Sequence, residues 1–331
     1  MSPEAGTTMR AAVYRRFGGP EVVHVENIPR PQPKADEVLI RVHASTVSVA
    51  DYRSRSLDLP PGLGFFGPLS LGIFGPRRPV LGMDLAGVVE QVGSEVSLFA
   101  PGDEVVGLRG FRFGAHAEYA VMRETAAIAR KPANLTFDEA VCLVFGGLTA
   151  RGFLSQVELP AGADVLVNGA SGSTGSAAVQ IARAMGAHVT GVSSARNHDL
   201  VRSLGADEVI DYATTDFAAD GKTYDVIVDA VGNAPFARVG ASIKPGGALL
   251  LVVGDLHSML TARRDSRRSG KLVTMHGVPS TAADVTYLVE LAEAGRFVPV
   301  IERHYGLDEI VEAHRFVGTG RKRGNLVLRL T

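Results

Sequence analysis

The chain has 331 residues, with 34 Lys and Arg against 35 Asp and Glu, and a formal net charge of −1. This length predicts one large domain or about two domains of ordinary size. A hydrophobic share of 46% with 21% charged residues excludes a disordered or fibrous chain, and the charge balance gives no field that would recruit nucleic acid or an anionic membrane. The 38 glycines indicate tight turns or close backbone approaches to a ligand.

The cysteine count and the hydropathy pattern restrict the class further. Cys142 is the single cysteine, which excludes an internal disulfide framework and every multi-cysteine zinc site; we interpret it as a small buried apolar residue. Met1 to Arg16 has no apolar core of signal-peptide length, and apolar runs such as Ala248–Val253 are far shorter than the roughly 20 residues that span a bilayer. We therefore expect a cytoplasmic protein with no integral membrane segment.

The first 130 or so residues have the pattern of short strands separated by turns. Within Glu37–Ala44 the apolar residues Val38, Ile40 and Val42 recur with the period of two that is typical of a half-buried strand. Turns with Gly and Pro separate the segments that are rich in Val, Ile and Ala, namely Arg10–Tyr14, Val22–Glu26, Glu37–Ala44 and Leu85–Val92. This pattern predicts a compact, mostly antiparallel β domain.

From about Gly147 the pattern changes to short apolar runs that alternate with helical stretches. The runs are Asp164–Asn168, His188–Val192, Glu208–Ile210, Asp225–Asp229, Ala248–Val253 and Leu272–His276. Near-continuous apolar strands separated by helices predict a parallel sheet covered on both faces, and six strands are what a doubly wound dinucleotide-binding domain requires. Two helical patterns, Ala282–Ala294 and Leu307–Val317, and a strand, Asn325–Leu330, follow.

One segment, Leu57–Gly75, is apolar but crowded with Gly and Pro. These residues are incompatible with a regular helix or a central strand. Three interpretations stay open: a mobile apolar lid beside a substrate cleft, an irregular packed insertion, and a peripheral membrane contact helped by Arg77 and Arg78.

A glycine-rich turn follows the predicted strand Asp164–Asn168 and precedes a helix that ends near Met185. Its core is a GxGxxG turn with alanine in the first place. Gly172 would let the backbone approach a pyrophosphate, and Gly175 would let the helix pack on the strand. The free N–H groups and the positive end of the helix dipole favour the anion. The predicted cofactor contacts of this turn are Ala170, Ser171, Gly172, Ser173, Thr174 and Gly175.

The end of the next strand distinguishes the two dinucleotides. An NAD site usually has Asp or Glu there, which binds the 2′-hydroxyl of the adenosine ribose, whereas this chain has Ser193, Ser194 and Arg196. Two hydroxyls and a guanidinium can bind a 2′-phosphate that a carboxylate would repel. The first carboxylate, Asp199, lies in the following helix. The sequence therefore predicts NADP(H) as the cofactor.

Further motifs accompany that turn: Gly18–Val22, Gly82–Val89, Pro101–Val105, Gly147–Ala150, Leu204–Asp207 and Val209–Tyr212. From about Met9 to Leu330 the chain resembles a zinc-independent medium-chain dehydrogenase/reductase of the quinone oxidoreductase type. The resemblance implies an α/β fold in which a GroES-like β-rich domain, residues 1–146 and 279–331, is interrupted by a doubly wound six-stranded parallel Rossmann domain, residues 147–278. It also implies a homodimer that joins the nucleotide-domain sheets edge to edge.

The same resemblance identifies the positions at which related zinc alcohol dehydrogenases hold their catalytic metal. The ligand positions are Ser48, Met83 and Gly146 in this chain, and Asp84 stands where those relatives have a glutamate. A hydroxyl, a thioether and a glycine cannot replace thiolate and imidazole ligands. The nine histidines show no paired spacing such as HxxxH. We therefore expect no metal site.

Two residues are candidate catalytic groups by resemblance. Ser48 occupies the place where many relatives carry an Asn near the nicotinamide and substrate, and it can donate one hydrogen bond. Tyr52 can orient the substrate or donate a proton, although the family's usual tyrosine falls one residue later, where this chain has Arg53.

Other cofactor contacts are implied along the chain. By resemblance, Thr149 contacts the nicotinamide side, Tyr212 touches the adenosine phosphate, and Asn325 lies near the cleft. Two pairs directly follow predicted strands, at the carboxyl edge of the sheet where ligands bind: Val231 and Gly232, and Val253 and Gly254.

The expected substrate is a small, hydrophobic, electrophilic molecule. Without a Lewis acid the easier reaction is hydride delivery to a quinone or to the β-carbon of an α,β-unsaturated carbonyl compound. We therefore predict an NADPH-dependent reductase of these compounds. A zinc-independent NADP-dependent alcohol or aldehyde reductase and a non-catalytic NADPH-binding protein stay open as alternatives. The arginine cluster Arg263–Lys271 has no interleaved aromatics, so we interpret it as a solvated face rather than a nucleic-acid contact.

Overall fold

The computed structural model describes residues 7–331, apart from the side chain of Phe66. The first six residues of Met1–Arg16, and with them the start of the predicted segment 1–146, lie outside the described residues. The strands are β1 Thr8–Tyr14, β2 Val23–Pro29, β3 Glu37–Thr46, β4 Asp84–Val92, β5 Glu104–Leu108, β6 Tyr119–Arg123, β7 Ile128–Arg130, β8 Asp164–Asn168, β9 His188–Ser193, β10 Glu208–Asp211, β11 Tyr224–Asp229, β12 Ile243–Leu251, β13 Leu272–Thr274, β14 Ile301–Gly306 and β15 Asn325–Arg329.

The α-helices lie between these strands, and short 3-10 helices occur at several of the junctions. They are α1 Val49–Ser56, α2 Phe66–Leu71, α3 Phe137–Val141, α4 Val144–Leu154, α5 Ser173–Ala184, α6 His198–Ser203, α7 Phe236–Val239, α8 Leu256–Ser269, α9 Ala282–Glu293 and α10 Ile310–Val317.

The second half of the chain forms a six-stranded sheet in the order β10-β9-β8-β11-β12-β13. Every pair in it is parallel, which confirms the predicted doubly wound sheet. The strand order reverses between β8 and β11, and ligands bind at the carboxyl ends of the strands at such a switch point.

Burial explains why the central strand of this sheet, β8, is mainly apolar. Successive residues of β8 are completely buried but face different layers, because Val165 and Val167 pack in one core cluster while Leu166 packs in another. Helix α5 covers the first of these faces with an apolar stripe, in which Ala178, Val179, Ile181 and Ala182 are fully buried.

The first part of the chain forms a seven-stranded sheet around β3. The order is β14-β15-β3-β4-β5-β7, and β6 also pairs with β3. The prediction of a half-buried β3 is correct only for its middle, where Arg41 is exposed and His43 is half-buried. Leu39 is completely buried like its neighbours Val38 and Ile40, so both faces of β3 are covered at its start.

The end of the chain returns to this first sheet. Strand β15 pairs antiparallel with β3, with Val327 opposite Thr46, and β14 pairs parallel with β15. The first sheet is therefore built from both ends of the chain. The proposed boundary between residues 146 and 147 lies inside α4.

The segment Leu57–Gly75 contains the helix α2, so the prediction that it holds no regular helix is wrong for six residues. The rest is irregular, as its glycines and prolines predict. Phe65, Leu69, Ile73 and Phe74 are largely exposed, which does not fit a packed insertion. No helix in the described part of the chain is both long and apolar enough to span a bilayer.

Candidate active site

The glycine-rich turn has the geometry of a phosphate cradle. Gly169 adopts a φ of +82°, and Gly172 is the N-cap of α5 with its own N–H donating to the Gly169 carbonyl at 3.0 Å. A Cβ on Gly175 would lie 2.0 Å from the Gly169 oxygen, whereas the nearest atom to a Cβ on Gly172 is 3.5 Å away. Gly175 is thus required for helix packing, and Gly172 leaves open space at the N-terminus of α5.

The returning C-terminal segment closes on this turn. The Gly324 N–H donates to the Ser171 carbonyl at 2.8 Å, and the Ser173 hydroxyl donates to Asn325 Oδ1 at 2.6 Å. The Asn325 amide also donates to the Val300 carbonyl at 3.2 Å. Asn325 therefore lies beside the turn and joins the two sheets there.

The end of β9 brings the predicted adenosine-side residues together. Ser193 is buried, and the Ser194 hydroxyl accepts a hydrogen bond at 3.2 Å from the Asn197 amide, which also donates to Ser171 Oγ at 3.0 Å. Tyr212 is 66% exposed, and its N–H donates to the Ser193 carbonyl at 3.4 Å. Ser194 and the turn are thus connected through one side chain, Asn197, that the sequence did not single out.

Arg196 opens onto a surface cavity of about 470 Å³ beyond β9. Its guanidinium donates to the Arg321 carbonyl at 3.4 Å. The cavity is lined by Arg196, Glu302, Arg303, Phe316, Thr319 and Arg321. A positively charged neighbourhood beside Ser194 is suited to a phosphate group.

The carboxyl edge of the sheet is organised by Asp229, which is completely buried. Its Oδ1 accepts from the N–H groups of Val231 and Gly232 at 3.0 Å each, and its Oδ2 accepts from the Ala234 N–H at 2.9 Å. The Asn168 amide donates to Oδ1 at 2.9 Å. Asp229 therefore fixes the loop that carries two of the predicted cofactor contacts.

The next loop packs tightly against the first. Gly232 has a φ of +92°, and a Cβ on it would lie 2.7 Å from Val253 Cγ1. A Cβ on Gly254 would lie 2.5 Å from Met275 Cε. Gly232 thus permits the close packing of the loops that follow β11 and β12, and Gly254 permits the close approach of Met275, which follows β13.

A cavity of about 920 Å³ lies between the two sheets. On one side it is lined by Thr149, Thr174 and Val253, which are predicted cofactor contacts, together with Ala230 and Val252. The rest of the wall comes from β1, the first sheet, the turn that follows β5, α1, the start of α4 and the segment around α2. Its side chains include Tyr14, Val49, Leu59, Leu71, Met83, Leu108, Phe111, Phe113 and Phe145, with Arg53, Arg77 and Arg78 as the charged members.

Comparison with known proteins agrees with this architecture. Residues 34–133 match the alcohol dehydrogenase GroES-like domain, and residues 204–328 match the zinc-binding dehydrogenase family. A chloroplastic quinone oxidoreductase from Triphysaria versicolor is 34% identical over 98% of this chain and 99% of its own length. The chain belongs to the quinone oxidoreductase-like family of medium-chain dehydrogenases/reductases.

Two further relatives of this family support the assignment. A mitochondrial NAD(P)H oxidoreductase from Bos taurus is 32% identical over 98% of this chain and 90% of its own length. The solved structure of a quinone oxidoreductase from Coxiella burnetii has a TM-score of 0.84 and 30% identity, and covers 98% of this chain and 100% of its own. This quinone oxidoreductase-like chain is thus an NAD(P)H-dependent oxidoreductase with a GroES-like and a Rossmann domain.

Ser48, which was predicted to be catalytic, has a structural role in this fold. Ser48 is the N-cap of α1: its hydroxyl donates to Asp51 and accepts from the Asp51 N–H, and its own N–H donates to Asp51 Oδ2 at 2.9 Å. It is buried and is not among the residues that line the large cavity. The predicted role as a substrate donor therefore needs correction, because both functions of the hydroxyl serve this capping box.

Tyr52 is also placed away from the large cavity. Its hydroxyl donates to Asp58 Oδ2 at 2.7 Å, and its ring packs toward Gly318 beside α10. The helical turn of α1 directs the neighbouring residue, Arg53, into the cavity instead. The sequence indicated this arrangement, because the usual tyrosine of the family falls at the position where this chain has Arg53.

The positions that match zinc ligands do not fit a zinc ion. Ser48 is committed to Asp51, Met83 offers a thioether, and a Cβ on Gly146 would lie 2.6 Å from the Ser173 carbonyl. Asp84 is buried and accepts from the Thr46 N–H at 2.8 Å and from its hydroxyl at 2.7 Å; burial raises the pKa of Asp84 to about 7 against these bonds. Within residues 7–331 no three His, Cys, Asp or Glu side chains cluster as metal ligands.

Cys142 lies in the core of the molecule rather than at the cavity. It is 3% exposed, and its thiol donates to the Asp138 carbonyl at 3.2 Å. Burial raises the pKa of the thiol well above its usual value. The interpretation of Cys142 as a small buried residue is confirmed.

Proposed function

We propose that this chain uses NADPH to reduce quinones or α,β-unsaturated carbonyl compounds without a metal ion. The observation that carries the proposal is the cavity of about 920 Å³, which brings three predicted cofactor contacts, Thr149, Thr174 and Val253, to the same cleft as a mainly apolar wall. A largely apolar cleft with few polar groups is suited to a small hydrophobic electrophile.

The adenosine side supports NADPH over NADH. Ser194 and Arg196 stand at the end of β9, and the first carboxylate after that strand is Asp199, whose side chain is fully exposed on α6. Arg321 lines the same surface cavity as Arg196. Three arginines outnumber the single carboxylate, Glu302, in the lining of this cavity, and guanidinium groups with a hydroxyl suit a phosphate dianion better than a ribose hydroxyl. When bound, NADPH supplies the hydride for the reaction.

The contribution of the chain is to orient the substrate and to exclude water. Negative charge that develops on a carbonyl oxygen must be stabilised by donors of the cavity wall, because Ser48, Met83 and Gly146 cannot hold a zinc ion. Conjugation in a quinone or enone delocalises the negative charge over the conjugated atoms, so that the carbonyl oxygen carries only part of it.

The proposal is tested by steady-state assays with a panel of 1,4-quinones, enones and simple alcohols, after exhaustive chelation. We expect NADPH-dependent turnover of quinones or enones. Oxidation of simple alcohols with NADP⁺ and no quinone or enone turnover would favour the alcohol reductase alternative. Tight NADPH binding with no acceptor in the whole panel would support a non-catalytic binding protein.

The cofactor assignment has a separate test. Arg196→Ala should lower the ratio of kcat/KM for NADPH to that for NADH by about tenfold, which corresponds to the loss of one charge-assisted contact. Arg202→Ala on α6, whose side chain pairs with Asp199 at 3.6 Å, is the matched control and should keep the ratio. Equal ratios in both variants would contradict the assignment of Arg196.

A further inference from the structure

The wall of the large cavity opposite the cofactor-side residues carries three guanidinium groups, those of Arg53, Arg77 and Arg78. The residues that line this cavity include no Asp or Glu. A quinone or an enone without a charged substituent gives such a wall nothing to pair with. The cavity thus holds more positive charge than the proposed reaction alone requires.

Arg53 is the most informative of the three. It lies in the second half of α1 and is half-buried, and burial lowers the pKa of its guanidinium, which Asp58 partly offsets. Within the part of the chain that the structure describes, its side chain has no ion pair and no hydrogen bond. A partly desolvated guanidinium without a partner is costly, so its partner is expected to arrive with a ligand.

The nearest acidic groups are already committed to other partners. Asp51 accepts from Ser48 and, through Oδ1, from the Gly82 N–H at 2.9 Å. Asp58 accepts from the Tyr52 hydroxyl at 2.7 Å. Neither carboxylate lines the large cavity; Asp58 shares a smaller cavity with Arg53 and offsets only part of the positive charge.

Arg77 and Arg78 extend this charge to the rim of the cavity. Both side chains are exposed, and the backbone is fixed because the Arg77 N–H donates to the Leu71 carbonyl at 2.8 Å at the end of α2. Exposed cations at the mouth of a low-dielectric cleft raise the local concentration of anions.

We propose that the cavity selects electrophiles that carry a carboxylate or phosphate group, which Arg53 binds in the wall while Arg77 and Arg78 steer it from the rim. This inference rests on the proposed function, since it takes the same cavity as the substrate site. It adds the charge class of the substrate, which the family assignment does not supply.

A different occupant for the rim is an anionic membrane surface, because the exposed apolar side chains of Phe65 and Phe74 lie in the same segment. The position of Arg53 argues for a small anion rather than a membrane surface. It lies within the cavity wall and is only half-exposed, whereas a headgroup would meet the fully exposed side chain of Phe74 first.

The binding test uses a 1,4-benzoquinone with a propanoate side chain and its methyl ester, and the matched pair of an ethyl phosphate and its alcohol. Two methylenes separate the charged group from the ring, so the members of each pair differ in charge and little in electrophilicity. Dissociation constants are measured by calorimetry with the NADP⁺-loaded and the free protein. We expect the carboxylate or the phosphate to bind at least about tenfold more tightly than its neutral partner, and the two pairs identify which anion is preferred.

Variants assign the preference to residues. Arg53→Gln should reduce the charged-to-neutral affinity ratio to below about threefold, and Arg77→Gln with Arg78→Gln should reduce it mainly at low salt. Arg268→Gln, on the exposed face of α8, removes the same charge elsewhere and should keep the ratio. If Arg53→Gln fails to fold, the double variant of Arg77 and Arg78 and the salt dependence of the wild type still test whether the cavity prefers charged ligands.

Three results would overturn the inference: equal affinity for charged and neutral partners, an Arg53→Gln variant that weakens NADPH as much as the charged ligand, or binding of anionic vesicles that depends on the three arginines without any ligand preference. Turnover of the methyl ester with NADPH separately tests the proposed function. If the ester is reduced and the protein shows no preference for the charged ligands, only the inference is refuted. If the carboxylate binds tightly and no quinone is reduced, only the proposed function is refuted.

Discussion

Ser48 is expected to act on stability rather than on chemistry. Its hydroxyl closes the capping box of α1 with Asp51, and removal of an N-cap hydroxyl costs about 1 kcal/mol. Ser48→Ala should therefore lower the free energy of unfolding in urea by about that amount, with kcat/KM changed less than about threefold. Ser56→Ala, which loses a hydroxyl that donates to the Tyr52 carbonyl at the other end of α1, is the matched control. A roughly hundredfold loss of kcat/KM at unchanged stability would restore Ser48 as a substrate donor.

His314 makes the stability of the protein depend on pH. It is completely buried, and neither ring nitrogen has a hydrogen-bond partner within residues 7–331. Burial lowers the pKa of His314 well below its usual value, and the nearby His116 and Arg55 act in the same direction. The unfolded chain therefore takes up a proton below about pH 6.5 that the folded chain does not. The stability from this neutral histidine is complete above that pH and is lost as the pH falls.

The expected measurement is the pH dependence of the free energy of unfolding. Between about pH 5 and 6.5 the slope should be shallower in His314→Leu than in the wild type, by up to one proton, or about 1.4 kcal/mol per pH unit. The same slope in both proteins would show that His314 is protonated in the fold.

At the scale of elements, the two glycines of the phosphate turn have different roles: Gly175 is needed for the fold, and Gly172 leaves room for the cofactor. A Cβ on Gly175 would lie 2.0 Å from the Gly169 carbonyl oxygen, so α5 must shift in Gly175→Ala. We expect that variant to unfold at a lower temperature and to bind NADPH poorly. Gly172→Ala has its nearest atom 3.5 Å away and a φ of −80°, so it should keep the fold and still weaken NADPH. Identical melting temperatures for both variants in the absence of cofactor would contradict this division.

The central strands β8, β9 and β11 could be predicted from the sequence because they are buried on both faces and are therefore mainly apolar, whereas the edge strands β10 and β13 are shorter and only partly buried. The turn at Gly172 could be predicted because its glycine spacing is dictated by local sterics. The helix α2 could not, since Gly and Pro conceal a six-residue helix. The cavity residues Arg53 and Arg77, the buried Asp229 and the link through Asn197 depend on contacts between distant segments, which no local pattern encodes.

At the scale of the whole molecule, the homodimer is still a prediction, and the structure suggests how to test it. Strand β13 is one edge of the nucleotide-binding sheet. Its Val273 N–H donates to Ser266 Oγ at 2.8 Å, and its carbonyl accepts from the same hydroxyl at 3.2 Å. Edge-to-edge pairing along β13 would have to replace both bonds.

Ser266→Ala should therefore tighten a dimer that pairs along β13, by roughly fivefold for about 1 kcal/mol. Sedimentation velocity of a chain of 34.9 kDa distinguishes monomer from dimer over a range of concentrations. A dimer of the same strength in wild type and variant would place the interface away from this edge.

The two sheets are joined at the glycine-rich turn through Gly324 and Asn325, and under the proposed function the cleft between them holds both the cofactor and the substrate. The most direct test is the rate of 1,4-benzoquinone reduction by metal-stripped protein with NADPH and with NADH. We predict that the rate survives metal removal and that kcat/KM with NADPH is at least about tenfold higher than with NADH. A reaction that returns only when zinc is added, or equal kcat/KM with both cofactors, would contradict the account.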